Sequence, residues 1–583
     1  MSLERNSKLV SRKFIYYLIP SIMMIFAMQF SSLIDGILVG NLISSEALAA
    51  TSLVMPVLYV IQAPGFALGI GGSIIIANLL GKRDIEGAKK AFSISLIIGV
   101  AISLVFAALA FFVSEPLAHA FGDHSFEYSY PFILMYLLSD PIITFALLIG
   151  NFMAVDNNPK TSSIFFIVSN VLKVGIEFLF IKVFDWGMYG AAISTGAGFF
   201  ISFAILPFYF TSKKRMLKFT FKVKGTSIFN IIKASSTSGI NMLLTAIQML
   251  VVNIVLGSLI TNNVDLLAFG LITNVVFVFD LFCGGIINVI PNICGIFYGE
   301  KDYYSLKSVT RKIFWINVGV TVFITALIMI FPEVYCVVFG YTEKTNLEYI
   351  NYLIRIYLLS FLPYEINKFS MNYYPSIKKN IPSIVTVFLR ELVIVLPLTL
   401  VLLYTHGILG YSIACAVTEA ATVLITYIFV LIYNKRCKTH SIFMFEKGDV
   451  ESFDTSLDNE IKNASIISEE LTRFAKEHGV KERESQIVGL AAEEIVNNII
   501  TYGYKNNHKN YIDISLKKVN DVLVLRIRDD GLPFDPTKYE FDNDEKYSTS
   551  GIQLISKLTD KMTYMRVLSL NNTIFEINLG GQN

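Results

Sequence analysis

The sequence predicts two folds in one chain: an all-α polytopic membrane protein of twelve spans, then a two-layer α/β sandwich. Three observations predict this. Long apolar runs follow one another almost without interruption as far as Cys437, and the mean hydropathy of the whole chain is +0.58. Charged residues make up 16% of the chain, where a soluble globular protein is nearer about 25%. Beyond Cys437 the long runs stop and short alternating runs begin, the pattern of strands with one buried face. The charge changes sign at the same place. Residues 1–437 hold 30 Lys/Arg against 22 Asp/Glu, and residues 438–583 hold 18 against 24. A basic membrane part and an acidic soluble part fit a domain on the cytoplasmic side of a membrane, and nothing in the charge pattern points to nucleic acid.

A crossing takes about 20 apolar residues. Hydropathy places spans near 14–40, 47–80, 91–113, 130–154, 161–181, 187–211, 234–258, 265–297, 313–332, 347–371, 382–404 and 408–433. With the amino terminus inside, the inside segments up to Cys437 carry 24 Lys/Arg and the outside loops carry two, Lys182 and Lys344. That bias predicts a multi-pass protein of the cytoplasmic membrane. Twelve is even, so both termini are expected in the cytoplasm. The basic start (Arg5, Lys8, Arg12, Lys13) leads into a full-length span, so no cleavable signal is expected. The five cysteines are scattered along the apolar part and no two of the six histidines are four apart, so neither a disulfide framework nor a metal site is expected.

Displacing the chain by 218 residues superposes two halves, so that Asp35 falls on Asn253, Leu48 on Leu266, Gly81 on Gly299 and Asp84 on Asp302. The loop GKRD (81–84) becomes GEKD (299–302). Each copy holds six spans, and an even-numbered unit repeats in the same orientation. This predicts two six-helix lobes, about 10–218 and 228–435, within a membrane domain of residues 1–437. Folds of this kind usually hold substrate between or within the lobes and work by rocking.

SSLIDGILVGN (31–41), GFALGIGGSIIIANLLGKRD (65–84), NFMAVDNNPK (151–160) and GMYGAAISTG (187–196) resemble the multidrug and toxic compound extrusion (MATE) transporters over roughly residues 10–435. The resemblance implies an antiporter, coupled to H⁺ or Na⁺, that expels small cationic or amphipathic organic compounds. The larger group also contains flippases of lipid-linked saccharides.

An ionisable side chain at membrane depth costs roughly 2.5–3.5 kcal/mol on insertion scales, so each one calls for a reason. The candidates are Asp35, Asp140, Lys173, Glu177, Asp280, Arg355, Glu365, Lys368, Arg390, Glu391 and Glu419. By the resemblance, Asp35 stands where the family carboxylate joins the ion cycle, and Glu177 at a second acidic position of the first lobe. Lys173 is a departure, because the family usually has Asn there. It lies one turn before Glu177 on the same helix face. It is expected to pair with Asp35 or Glu177, in the manner of a tethered cation. Glu365 and Lys368 share a face near Arg355 and form a second candidate group.

In the tail, residues 438–583, the pattern predicts helices over 455–478, about 482–502 and 551–559. Strands are predicted at 511–517, 521–529, 562–567 and 573–579, and a polar lid-like loop over 532–550. Glu494 and Asn498 project from one helix face. An amide oxygen is a fit ligand for Mg²⁺ and a neighbouring carboxylate can take a proton. Asp529 ends a strand before the tight turn Asp530–Gly531, and Gly551 opens a helix, where phosphate is favoured. EEIVNNIITYGY (493–504) and RDDGLPFDP (528–536) together resemble the GHKL (Bergerat) ATPases, most closely their anti-sigma-factor serine kinases. The resemblance implies ATP with Mg²⁺ as cofactors, with Asn498 the Mg²⁺ ligand and Glu494 the catalytic carboxylate. Asp529 would accept from the adenine amino group, Gly531 and Gly551 would let nucleotide approach, and Thr573 would supply a late contact. Glu493 and Asn497 offer the same spacing one residue earlier. The tail is expected to regulate the transporter or to phosphorylate a small regulatory protein partner. The alternatives are a membrane-anchored serine kinase with the transporter fold as ligand sensor, and a saccharide flippase carrying the same tail.

Overall fold

In a computed structural model of the protein, the described residues are 4–222, 228–259, 263–338, 346–437, 439–446, 452–504, 509–538 and 550–579. They form two compact units. One is Tyr17–Phe445, and the other joins Met1–Tyr16 to Glu446–Asn583. The sequence places the boundary at residues 437–438 and assigns the amino terminus to the membrane part. The structure instead groups the first sixteen residues with the tail.

The first half of the membrane unit is built from α1 (Lys8–Leu42), α2 (Ser45–Gly81), α3 (Ile85–Ala120), α4 (Asp123–Val155), α5 (Pro159–Phe178), α6 (Gly187–Ser202) and the short α7 (Leu206–Phe210). The second half comprises α8 (Ile228–Leu259), α9 (Asn263–Asn288), α10 (Ile290–Gly299), α11 (Tyr303–Ile330), α12 (Pro332–Val338), α13 (Leu347–Leu358), α14 (Phe361–Ser376), α15 (Asn380–Phe388) and α16 (Val395–Cys437). Ten helical runs among the described residues are long and apolar enough to cross a membrane. The last of them, Asn380–Cys437, covers two of the expected spans, because Gly407 (φ 61°) leaves the helical region and divides α16. The expected span 347–371 is made of two shorter helices, α13 and α14, interrupted at Leu359–Ser360.

The repeat is visible in the backbone. Arg83 and Lys301, one repeat apart, both take left-handed φ values of 66° and 54°. Each precedes an aspartate N-cap: Asp84 accepts from the Gly87 N–H and Asp302 from the Ser305 N–H. The halves meet through a reciprocal close approach. A Cβ on Gly81 would overlap the Ile296 carbonyl oxygen, and a Cβ on Gly299 would overlap the Asn78 carbonyl oxygen. Asn78 and Ile296 are themselves one repeat apart, as are Ala77 and Gly295, which face each other. Only glycine permits this spacing of helix backbones.

The second unit contains a five-stranded antiparallel sheet. Its strands are β3 (Ser452–Asp458), β4 (Tyr511–Val519), β5 (Val522–Asp529), β6 (Lys561–Val567) and β7 (Leu570–Asn578), in the order β3-β4-β5-β7-β6. A separate two-stranded ladder, at the end of the larger unit, joins β1 (Thr439–His440) to β2 (Phe445–Glu446). Helices α17 (Lys462–Glu477), α18 (Glu482–Asn498) and α19 (Ser550–Leu558) complete the unit. One core joins helices to sheet, with Ile467, Leu471, Val488, Ile495 and Ile555 against Ile514, Leu525, Ile527 and Phe575. This is the two-layer sandwich the pattern predicts.

One expectation fails at its edge. Residues 452–458 form strand β3, not the start of the helix predicted over 455–478. The segment SFDTSLD alternates, burying Thr455 and Leu457, and pairs in register with β4. Ile461 and Ile466, which made the segment look amphipathic, are exposed. Most of the expected lid, residues 539–549, lies outside the described residues.

Candidate ion-coupling group and nucleotide site

In the first lobe, the Lys173 ammonium on α5 is ion-paired with the Asp35 carboxylate on α1. Glu177, one turn beyond Lys173, is buried and close enough to Asp35 and Lys173 for both charges to act on it, and its Oε2 has no partner among the described residues. The three side chains thus carry two carboxylates and one ammonium. The pairing expected for Lys173 is with Asp35. Asp140 lies apart from this pair on α4, buried and accepting from the Thr144 hydroxyl at 3.2 Å.

The second lobe holds a larger group. Lys368 on α14 is paired with Asp280 on α9, which also accepts from Gln29 Nε2 on α1 at 3.3 Å. Glu365 is fully buried, with one oxygen accepting from Asn317 Nδ2 at 3.3 Å and the other unpartnered among the described residues. Arg390 lies over the Tyr364 ring, donates to Glu419 at 2.6 Å and sits 3.2 Å from Glu391. Asn367 donates to the other Glu419 oxygen at 2.7 Å. Four carboxylates therefore face two cations. Arg355 is not part of this group; it is exposed and donates to the Met329 carbonyl. Gln29, Asn317 and Asn367 escaped the sequence reading because single amides in apolar helices leave no spacing signal.

In the second unit, α18 presents Glu494 and Asn498 together. Asn498 Nδ2 donates to the Glu494 carbonyl at 2.8 Å and to its Oε1 at 3.0 Å. The Glu494 carboxylate lies so close to Gly551, in the first turn of α19, that a Cβ there would overlap it. This contact brings Gly551 to the 494/498 pair. Asp529, at the end of β5, is buried, and its Oδ1 accepts from the Gly531 N–H at 2.7 Å and from Asn571 Nδ2 at 2.8 Å. Burial pushes its carboxyl up to about 6, against the pull of those two donors. Gly531 packs on the Gly503 carbonyl, where a Cβ would sit 2.6 Å away, and Leu532 N–H donates to the same oxygen at 2.8 Å. Thr573 is buried on β7 opposite Ile527, two residues from Asn571 on the same sheet face. The residue that reaches Asp529 is Asn571. Its signal was its register opposite Asp529, which only the pairing of β5 with β7 exposes.

All three groups adjoin a π-helical turn. Leu179–Val183 follows Glu177, Leu389–Val393 contains Arg390 and Glu391, and Ile499–Gly503 follows Asn498. A π-bulge inserts a residue into the helical ladder and re-aims the side chains beside it, often at functional sites.

Comparison with known proteins decides the family of the larger unit. Residues 20–179 and 238–401, more than half of the chain, match the MatE family model. The chain belongs to the MatE family. Its MatE part is interrupted between the two lobes, as the repeat requires, and it is a multi-pass membrane protein. Residues 457–575 match the model of a histidine kinase-like ATPase domain. Among similar proteins, the multidrug export protein MepA of Staphylococcus saprophyticus is 24% identical over 310 residues, 52% of this chain and 67% of that one. MepA of Staphylococcus aureus is 23% identical over 342 residues, 57% of this chain and 74% of the other. Among solved structures, a MOP superfamily transporter from Pyrococcus furiosus superposes with a TM-score of 0.67 at 19% identity. That match covers 75% of this chain and 100% of the other. An outward-facing multidrug resistance MATE transporter superposes with a TM-score of 0.66, also at 19% identity and with the same coverage. These structural likenesses establish the MatE fold of the first unit.

Proposed function

We propose that this protein exports small organic compounds across the cytoplasmic membrane, driven by an H⁺ or Na⁺ gradient, and that an ATP-binding cytoplasmic domain regulates it. The observation that carries the reading is the group Asp35, Lys173 and Glu177. Lys173 balances one carboxylate and leaves one negative charge in excess, which a single proton or monovalent cation neutralises. Loading and unloading that charge is the coupling step. Membership of the MatE family and likeness to proteins named as multidrug exporters support organic substrates of cationic or amphipathic character. The excess of Lys/Arg on one set of loops supports cytoplasmic termini.

In the second unit, the residues present fit ATP with Mg²⁺. Glycine at 551 keeps the space beside the Glu494 carboxylate clear, and Asp529 offers a buried acceptor at the end of a strand. When bound, ATP with Mg²⁺ supplies a transferable phosphoryl group. Asn498 would hold the metal, Glu494 would take the proton of the attacking group, and Asp529 would accept from the adenine amino group. Gly531 and Gly551 would admit the nucleotide, and Thr573 would supply a further contact. The placement of Glu494 beside Asn498 and Gly551 also favours a second reading, in which the tail phosphorylates a small partner protein on Ser or Thr.

The deciding experiment is efflux of a fluorescent organic cation from proteoliposomes under an imposed pH or Na⁺ gradient. Gradient-driven efflux that is lost in Asp35→Asn is expected. Efflux indifferent to both gradients removes the coupled-exporter reading.

A further inference from the structure

Residues 4–16 fold with the ATPase-like unit, and their contacts run along one end of its sheet. Arg5 Nη1 is 3.2 Å from Asp454 Oδ1, with the arginine side chain almost fully buried. The Asn6 N–H donates to Ser456 Oγ on edge strand β3 at 3.0 Å, and Ser456 donates back to the Asn6 carbonyl at 3.3 Å. Lys8 donates to the Tyr511 hydroxyl at 2.9 Å. Arg12 donates to Asn510 Oδ1 at 2.8 Å and to Asp530 Oδ2 at 3.3 Å, and Lys13 Nζ is 3.5 Å from the same oxygen.

Asp530 is the middle residue of the Asp529–Asp530–Gly531 turn. Its side chain is 6% exposed, and its Oδ1 has no hydrogen-bond partner among the described residues. A nearly buried carboxylate held on one oxygen by two cations is fixed by them. From the other side the turn is held by Arg566, which donates to the Gly531 carbonyl at 3.2 Å, and by Asn571. The turn that presents Asp529 is thus clamped between β6 and β7 and the start of α1. That same helix carries Asp35 about six turns further along.

We propose that Arg12 and Lys13 are positioning residues of the nucleotide site: through Asp530 they set the Asp529–Gly531 turn, so nucleotide occupancy and the seating of the amino-terminal segment are coupled. The proposal rests on the reading of this site as a nucleotide site. Coupling of this kind is reciprocal: if the seated segment favours nucleotide, nucleotide favours the seated segment.

The test uses the full chain in lipid nanodiscs, with a fluorescent methylanthraniloyl-ATP and Mg²⁺. Arg12→Ala, Lys13→Ala and Asp530→Asn are each expected to weaken binding by about fivefold, the scale of one partly screened ion pair. Arg12→Lys recovers most of the loss, and Arg12→Ala combined with Asp530→Asn is no worse than either alone. In the unmutated chain, where no variant has to fold, nucleotide slows amide hydrogen exchange over residues 5–16. Equal affinity in every variant, or exchange over 5–16 that ignores bound nucleotide, overturns the coupling and leaves the nucleotide site standing. Absence of binding to the unmutated chain overturns both.

Discussion

Lys173 and Asp35, on different helices of the first lobe, are joined as an ion pair. Removing Lys173 leaves the Asp35 and Glu177 carboxylates without their shared cation in an apolar setting, and breaking a buried pair in this way typically costs about 3–5 kcal/mol. Lys173→Gln is therefore expected to lower the thermal unfolding temperature in detergent. Asp35→Asn combined with Lys173→Gln recovers most of that temperature and still fails to export in proteoliposomes. A double variant that exports normally would show that the pair is structural.

Asn498→Ala and Glu494→Gln should separate binding from chemistry. The first is expected to lose Mg²⁺-dependent nucleotide affinity by tenfold or more, taking about 1.4 kcal/mol or more from binding. The second keeps affinity within about threefold and stops transfer of radiolabelled phosphate, because an amide cannot act as a base. Equilibrium binding and a transfer assay on the same samples check both.

Gly551→Ala is a steric test. The added methyl overlaps the Glu494 carboxylate, so the carboxylate or the start of α19 has to move. Nucleotide affinity is expected to fall about tenfold, while Gly479→Ala, at a left-handed position in the α17–α18 connection, costs stability and spares affinity. Thermal unfolding and nucleotide titration distinguish the two.

Asp529 is expected to give the proposed nucleotide site a pH dependence. Its carboxyl is raised by burial from 3.8 to about 6. A raised carboxyl favours the folded state below its ordinary value, and that contribution is lost as pH rises through about 6. Binding has the opposite sign, because only the ionised carboxylate accepts on both oxygens. Affinity for nucleotide is expected to be level above about pH 7 and to fall as pH drops below 6. The fall disappears in Asp529→Asn, which binds weakly at every pH.

Asp156 ties down the segment after the sixth span. It accepts from the Met216 and Leu217 N–H groups at 2.8 and 3.1 Å and from the Tyr209 hydroxyl at 2.8 Å. Asp156→Ala strands three donors, two of them buried, and is expected to destabilise the protein by roughly 2–4 kcal/mol, seen as a lower unfolding temperature with unchanged nucleotide binding.

Two kinds of information separate what the sequence revealed from what it hid. Apolar length, loop charge and the 218-residue repeat are properties of long stretches, and they pointed to two lobes and to the change of character near Cys437. The GHKL-like motifs fell within short segments, so Glu494, Asn498, Asp529 and Gly551 could be named as candidates, and the structure puts Glu494 beside Asn498 and Gly551. Features that depend on pairing were not. Strand β3 was mistaken for helix because exposed Ile461 and Ile466 imitate an apolar face. Asn571 became visible only through its register with Asp529. The attachment of Arg5, Lys8, Arg12 and Lys13 to residues about 450–520 positions away has no local signature; those residues look like ordinary positive-inside charge.

The mutual approach of Gly81 to Ile296 and of Gly299 to Asn78 has the form of an isologous contact, in which residue i meets j and j meets i, as in a two-fold symmetric dimer. Here one chain supplies both copies. A change on the axis must satisfy its own mirror image, so Gly81 and Gly299 are locked to the same choice. Away from the axis no such reciprocity applies, and the halves are free to specialise. Asp35 and Asn253, one repeat apart, illustrate the result: one lobe carries a charge there and the other does not. The symmetric seam allows an asymmetric machine.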